Sequence, residues 1–284
     1  MKLAVLADVH ANLVALQAVT EHIESWRPDF VVLAGDLVNR GPRPAECLSF
    51  VQEKRLSEGW LWVRGNHEDY VISQSRMDAP HSGPVFEVHR ASYWTYQQLG
   101  FDVSALEGMP FQQTLQDPAG GQVSIVHASM RGNRDGIYPD TTAEQLEEKL
   151  KLESARGENR LPGLICVGHT HRPVVRQLNG TLVVNVGSAG LPFDGDTRPA
   201  YAQCVWNRGR WNANIVRLDY DLKHAERDFY ETGYAYDAGP LVDLVLIELR
   251  YAHSQLYGWS KRYQQRAAQG EISMRESVRQ FLAG

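Results

Sequence analysis

The sequence predicts an α/β layered fold, two packed mixed β-sheets flanked by helices, followed by a C-terminal helical extension. Three observations predict it. Short apolar runs rich in Val, Leu and Ile recur at residues 3–7, 30–34, 61–63, 123–126, 164–167 and 182–186, each bounded by Gly, Asp, Asn or His. Helical periodicity fills the gaps between the early runs. From residue 181 onward, strands instead follow one another through short links.

The first helix rests on Leu13, Leu16, Val19 and Ile23, spaced three and four apart, with Asn12 as N-cap and Pro28 beyond the stop. Residues 44–56 read as a second helix with Pro44 in its first turn. Strands alternating with helices imply partly parallel pairing. Residues 70–110 are aromatic-rich and helical, and 135–160 are charged and helix-prone. The runs at 182–186, 201–206 and 212–218, with Asn207-Arg208-Gly209 as a turn, read as an antiparallel, hairpin-rich region. Leu241, Val245, Leu249, Ala252 and Leu256 mark an amphipathic helix. Its apolar face must dock, either on the chain's own sheet or on a second copy as a homodimer.

Composition excludes several classes. The chain has 284 residues, 43% hydrophobic and 22% charged. That length suffices to bury about 75% of the unfolded surface without staples. No apolar run approaches the roughly twenty residues of a spanning helix, so no membrane role is expected. Asp8 interrupts the N-terminal apolar stretch too soon for a secretory h-region. Cys47, Cys166 and Cys204 are odd in number and scattered, giving neither a disulfide framework nor a zinc knuckle, and a cytoplasmic location is expected. The net charge of −5 offers no dense basic stripe, so stable nucleic-acid binding is not expected.

The chemistry lies where the strands end. The runs lead into Asp8-Val9-His10, Gly35-Asp36, Gly65-Asn66-His67-Glu68, His127 and Gly168-His169-Thr170-His171. Ligands of layered α/β folds bind beyond the carboxyl ends of strands, so these residues should share one rim. Glycines before Asp36, Asn66 and His169 let the backbone turn sharply and approach closely. Each fragment alone could be a turn or cap; the joint occurrence, always after an apolar strand, decides. Carboxylates, imidazoles and an amide crowded together need a counter-charge. A pair of divalent cations supplies one, and the isolated Asp36 is placed to bridge them.

These five blocks resemble the calcineurin-like metallophosphoesterase superfamily, in its small bacterial and archaeal phosphodiesterase-like branch, which is similar to the diadenosine tetraphosphate hydrolases. The stretch from Asn185 to Asp196, Asn-Val-Gly-Ser-Ala-Gly-Leu-Pro-Phe-Asp-Gly-Asp, is similar to the segment beyond the last block in that branch. The resemblance implies an αββα sandwich domain over residues 1–220, with a helical insertion at about 70–115, and leaves 221–284 as the helical extension. It implies that Asp8, His10 and His171 hold one metal, that Asn66, His127 and His169 hold the other, and that Asp36 bridges. Manganese is the leading metal, with iron, zinc or nickel as alternatives. It further implies a hydroxide between the metals that attacks phosphorus in line, with His67 protonating the leaving oxygen.

Asp36-Leu-Val-Asn-Arg-Gly41 and Val63-Arg-Gly-Asn-His-Glu68 also resemble blocks of the phosphoprotein phosphatases, by which Arg40 would clamp a substrate phosphate. Asn39 departs from that pattern, which has Asp there to orient the histidine. Arg131 and Arg134 read as a solvated loop before a second phosphate contact. Phe86, Tyr93, Trp94 and Tyr96 either roof the cleft and stack a base or form a satellite core. Lys261, Arg262, Arg266, Arg275 and Arg279 read as a wet helix face. The expected activity is hydrolysis of a phosphodiester or phosphoanhydride of a nucleotide-like small molecule. The alternatives are a protein (phosphomonoester) phosphatase and, from another class, an inactive scaffold of the retromer type.

Overall fold

A computed structural model describes residues 1–150 and 161–284. Two five-stranded mixed sheets pack face to face. The strands are β1 (Lys2–Leu6), β2 (Phe30–Leu33), β3 (Leu61–Trp62), β4 (Gln112–Gln116), β5 (Gln122–Val126), β6 (Leu164–Val167), β7 (Val174–Leu178), β8 (Thr181–Asn185), β9 (Ala200–Asn207) and β10 (Arg210–Arg217). One sheet runs β10-β9-β1-β2-β3, the other β4-β5-β6-β8-β7. In the first, β1, β2 and β3 are parallel; in the second, β5, β6 and β8 are parallel. Antiparallel strands flank both parallel cores. The expected layered architecture is therefore the observed one.

Strand alternation makes the layers. Leu3, Val5 and Ala7 point between the sheets, where they meet Val32, Val123, Ile125, Cys166 and Val184. Ala4 and Leu6 point the other way, onto the helices, and pack with Leu16, Val19 and Val51. Both faces of β1 are thus buried, which is why its sequence is continuously apolar.

The helices are α1 (Leu13–Trp26), α2 (Pro44–Glu58), α3 (Asn66–Ile72), α4 (Gly83–Gln98), α5 (Ser104–Glu107), α6 (Ala143–Leu150), α7 (Leu222–Glu231), α8 (Tyr234–Asp237), α9 (Val242–Tyr251), α10 (Leu256–Trp259), α11 (Gln265–Ala268) and α12 (Met274–Ala283). Asn12 caps α1 by accepting from the Ala15 amide. Of the charged stretch 135–160, residues 143–150 are helical and 151–160 lie outside the described residues.

Two differences from expectation concern the edges and the C-terminal segment. Strands β4 and β7 carry polar, half-exposed sequences such as Gln-Gln-Thr-Leu-Gln, because each lies at a sheet edge. The periodic run from Leu241 to Leu256 is not one helix. It breaks at Ala252, which takes the left-handed conformation (φ 52°), and Glu248 Oε1 accepts the amides of Gln255 and Leu256 where α10 begins. The apolar face of α9 docks within the chain, against Trp94, Leu191 and Phe193.

Ile125 sits fully buried between the sheets. Ile125→Ala is expected to lower unfolding free energy by about 2–5 kcal/mol in urea titration. Leu56→Ala, at a 90% exposed position, is expected to change it by less than about 0.5 kcal/mol.

Candidate active site

The parallel strands of both sheets send their carboxyl ends to one rim. Asp8 and His10 follow β1, Asp36 follows β2, and Asn66 and His67 open α3 after β3. His127 follows β5, and His169 and His171 follow β6. Asp8, His10, Asp36, His169 and His171 all hold positive φ between 50° and 69°. Side chains seldom adopt that conformation outside sites where surrounding structure enforces it. The backbones also crowd in. A Cβ on Gly65 would lie 2.1 Å from Asp36 Oδ1, and one on Gly168 would lie 2.5 Å from Asp8 Oδ2. Only glycine fits at either place.

All seven expected metal ligands converge. Asp8, His10 and His171 form one tight group and Asp36, His127 and His169 another, ligand atoms lying within 4.8 Å of one another in each. His171 Nε2 is 3.5 Å from Asp8 Oδ1, and His10 Nε2 is 3.1 Å from His171 Nε2. Asn66 Oδ1 is 3.0 Å from His127 Nε2 and 2.8 Å from His169 Nδ1. Asp36 Oδ2 lies between the groups, 3.3 Å from His127 Nε2 and 3.8 Å from His10 Nε2. His67 also falls within reach of His10 and Asp36.

Backbone carbonyls fix the rings. His10 Nδ1 faces the Asn39 carbonyl at 3.3 Å, His127 Nδ1 faces that of Ala34 at 2.9 Å, and His171 Nδ1 faces that of Leu191. A carbonyl only accepts, so each Nδ1 carries the proton, and the Nε2 of His10 and His171 turns a lone pair inward. Burial lowers His10 to about 3 and holds His171 well below the usual range. Two lone pairs therefore confront each other, beside an Asp8 Oδ1 that is buried without a hydrogen-bond partner among the described residues.

Burial likewise pushes Asp8 well up, with Asp36 adding to it, while it works against ionisation of Asp36, which His127 and His67 nonetheless hold well below the carboxylate range. Burial opposes protonation of His127, but Asp36 beside it pushes that imidazole up to about 10. One imidazolium is thus the chief counter-charge to a pocket of acceptors. Imidazole nitrogens, carboxylate oxygens and one amide oxygen facing inward fit divalent cations of the borderline class.

Four groups behind the cluster hold its loops. Glu68 is fully buried and accepts amides from Asp36 (2.8 Å), Leu37 (2.8 Å), Val38 (3.2 Å) and Gly65 (2.8 Å). Burial, then Asp36, pushes its pKa up to about 7. Ser188 Oγ donates to the Asp8 carbonyl (2.7 Å) and accepts the Leu191 amide (2.7 Å). Asn185 donates to the Gly168 carbonyl (2.8 Å) and to Thr170 Oγ1 (2.8 Å). Phe193 stacks on the His171 ring at 4.1 Å. Glu68, Asn185, Ser188 and Phe193 all stand inside the sequence motifs, but nothing in the motifs gives them a role; only contacts across the chain supply it.

Asn39 holds His67 in place of a carboxylate. Its Oδ1 accepts the Arg40 amide (2.9 Å), which orients the side chain so that Nδ2 donates to His67 Nδ1 (3.1 Å) and to Ser92 Oγ (3.1 Å). His67 Nδ1 is then the acceptor, and the ring proton sits on Nε2. Burial and Arg40 hold His67 well below the usual histidine range, so it is a neutral N–H donor.

His67, Asp36, Asn66, His169 and His171 open on a cavity of about 450 Å³ that Arg40 also lines. Among the described residues the Arg40 guanidinium has neither a hydrogen-bond nor an ion-pair partner. Arg131 lies outside the cavity, 55% exposed and 3.8 Å from Asp135, and Arg134 stacks over Tyr70. Phe86, Tyr93, Trp94 and Tyr96 do not line the cavity; Trp94 packs on Tyr234 in a satellite core, and the other face of α4 supplies Val88, His89, Ala91 and Ser92. The rings that do line it include Tyr70, Tyr138, Tyr257 and Trp259. The last two sit in the C-terminal helices, where nothing in the sequence marks them.

The profile of the Calcineurin-like phosphoesterase superfamily domain matches residues 1–205. An uncharacterized protein of Methanocaldococcus jannaschii is 25% identical over 243 residues, covering 78% of this chain and 89% of its own. A symmetrical bis(5'-nucleosyl)-tetraphosphatase of Pseudomonas putida is 27% identical over 152 residues, spanning 48% of this chain and 52% of that enzyme. Among solved structures, a metallophosphoesterase from Sphaerobacter thermophilus superposes with a TM-score of 0.68 at 27% identity, covering 89% of this chain and 99% of that one. A hypothetical protein from Pyrococcus horikoshii superposes at 0.72 with 19% identity, over 89% and 99%, and shares the fold.

Glu68→Ala strands four buried amides. It is expected to lower unfolding free energy by about 3 kcal/mol or more, read by urea titration in chelator. A midpoint equal to the parent's would show that something else holds the Asp36 loop.

Proposed function

The chain belongs to the calcineurin-like phosphoesterase superfamily, and from that membership we propose that it is a dinuclear metal-dependent phosphoesterase cleaving a phosphodiester or phosphoanhydride bond of a nucleotide-like small molecule. The single observation behind this reading is the inward convergence of buried acceptors, with Asp36 between two ligand groups. Asp8, His10 and His171 would hold one divalent ion, Asn66, His127 and His169 the second, and Asp36 both, with manganese the first candidate. The ions would offset phosphoryl charge and bring the pKa of water toward neutrality.

The chain's own residues do the rest. Arg40, free of protein partners among the described residues, presents its planar fork to the phosphoryl oxygens. His67 donates its Nε2 proton to the departing oxygen, the proton held there because Asn39 occupies Nδ1. At the start of α3 the His67 amide donates to Asp36 Oδ1 (2.8 Å), which fixes the carboxylate that would be shared. The small-molecule reading is supported by the cavity of about 450 Å³, whose lining joins the ligand groups to residues of the C-terminal helices. The tetraphosphatase relative supports the nucleotide class.

Protein purified without chelator is expected to carry about two transition-metal equivalents by elemental analysis, and to lose phosphate release when stripped and regain it with Mn²⁺. Asp36→Asn is expected to abolish turnover and metal retention. His67→Ala is expected to cut kcat by about 10²–10⁴-fold, and Asn39→Ala by about tenfold with KM little changed. Comparing a nitrophenyl monoester with the bis-nitrophenyl diester separates the two ester classes. Activity confined to phosphoprotein would replace this reading with the protein-phosphatase one.

A further inference from the structure

The cavity that opens on the ligand cluster has a second end that hydrolysis at phosphorus leaves unused. At about 450 Å³ it falls in the lower half of the range for small-molecule sites, room for one ring-bearing group beside a phosphate and not for two. Much of its lining comes from residues 221–284, including Val242 and Val245 from α9 and Leu256, Tyr257 and Trp259 from α10. It joins an aliphatic helix face to two aromatic rings. Among the described lining residues the single carboxylate is Asp36, against the cations Arg40 and Arg172, so the charge favours an anionic ligand.

Ser254, Ser260 and Gln264 of the same segment also line the cavity, and a buried polar atom joins them. Tyr234 lines the cavity, is fully buried, and its hydroxyl has no hydrogen-bond partner among the described residues. A buried hydroxyl left unpaired is costly unless a ligand completes it. The Arg40 charge acts on this phenol and on Glu248, which is fully buried on α9 three residues beyond Val245. One Glu248 oxygen secures the start of α10 and the other is unpartnered among the described residues. The same segment thus supplies a ring wall and a hydroxyl with spare bonding capacity.

We propose that residues 221–284 form the leaving-group subsite of the enzyme, taking one planar, ring-bearing organic group of nucleoside size, with Tyr234 as its internal hydrogen-bonding residue and Tyr257 and Trp259 as its ring wall. This rests on the phosphoesterase reading. Of a dinucleoside polyphosphate, one half fills the cavity and the other lies beyond its mouth.

Adenosine 5'-monophosphate and methyl phosphate share the phosphate and differ in the organic group. Each is titrated calorimetrically into the Mn²⁺-loaded protein, its Tyr234→Phe variant and its Tyr257→Ala variant. The nucleotide is expected to bind the parent at least about tenfold more tightly than methyl phosphate, and to lose about tenfold in each variant while methyl phosphate is unaffected. Tyr257 is 61% exposed, so its replacement leaves the fold intact should Tyr234→Phe unfold. Equal affinities for the two probes, or variants that weaken both equally, overturn the subsite. Phosphoester hydrolysis without such discrimination removes the subsite alone. Segment-dependent nucleotide binding with no hydrolysis of any ester overturns the hydrolase reading and, with it, the leaving-group role.

Discussion

Acceptor atoms buried against acceptor atoms are the constraint on which the rest of this structure depends. His10 and His171 present ring lone pairs to each other 3.1 Å apart, beside Asp8, with the amide oxygen of Asn66 and the carboxylate of Asp36 close behind. Left alone, such an arrangement is repulsive and desolvated. It persists because the surrounding chain leaves it no alternative. The rings are turned by carbonyls of Asn39, Ala34 and Leu191, which belong to other loops. The backbone is held in left-handed conformations that side chains avoid, and two glycines let strand ends come closer than any other residue would allow. The side chains that would hold the ions are therefore positioned by contacts with the rest of the chain.

The loops are clamped by polar groups that never reach the reacting centre. Glu68 ties the Asp36 loop to the start of α3, and Ser188 ties the Asp8 loop to the carbonyl that orients His171. Asn39 shows how a neutral residue performs a positioning task usually given to a carboxylate. It places the His67 proton on the outward nitrogen without adding negative charge to a pocket that already holds Asp8, Asp36 and Glu68.

The parallel cores are legible in the sequence because strands buried on both faces are written as unbroken apolar runs, and the site because five of the runs lead into Asp, Asn or His. Strands β4 and β7 are not, since edge strands facing water on one side carry glutamines and alternating polar residues that resemble loops. The break at Ala252 is hidden as well: the apolar spacing of 241, 245, 249, 252 and 256 continues through it, while the cause is Glu248 capping the following helix. The cavity wall is the least legible part. Tyr234, Tyr257 and Trp259 lie far from every motif in the chain, and only the folding of the C-terminal helices over α4 and the Phe193 loop brings them to it.

That folding has a consequence for how such a protein changes over generations. The groups expected to cleave bonds lie within residues 8–171, inside the stretch matched by the superfamily profile, whereas much of the cavity lining comes from a later stretch outside it. Substitution in the later stretch can retune molecular appetite while the cluster at the strand ends stays untouched. Two descendants could thus keep one reaction and diverge in diet, each by altering helices that never meet the atoms being exchanged.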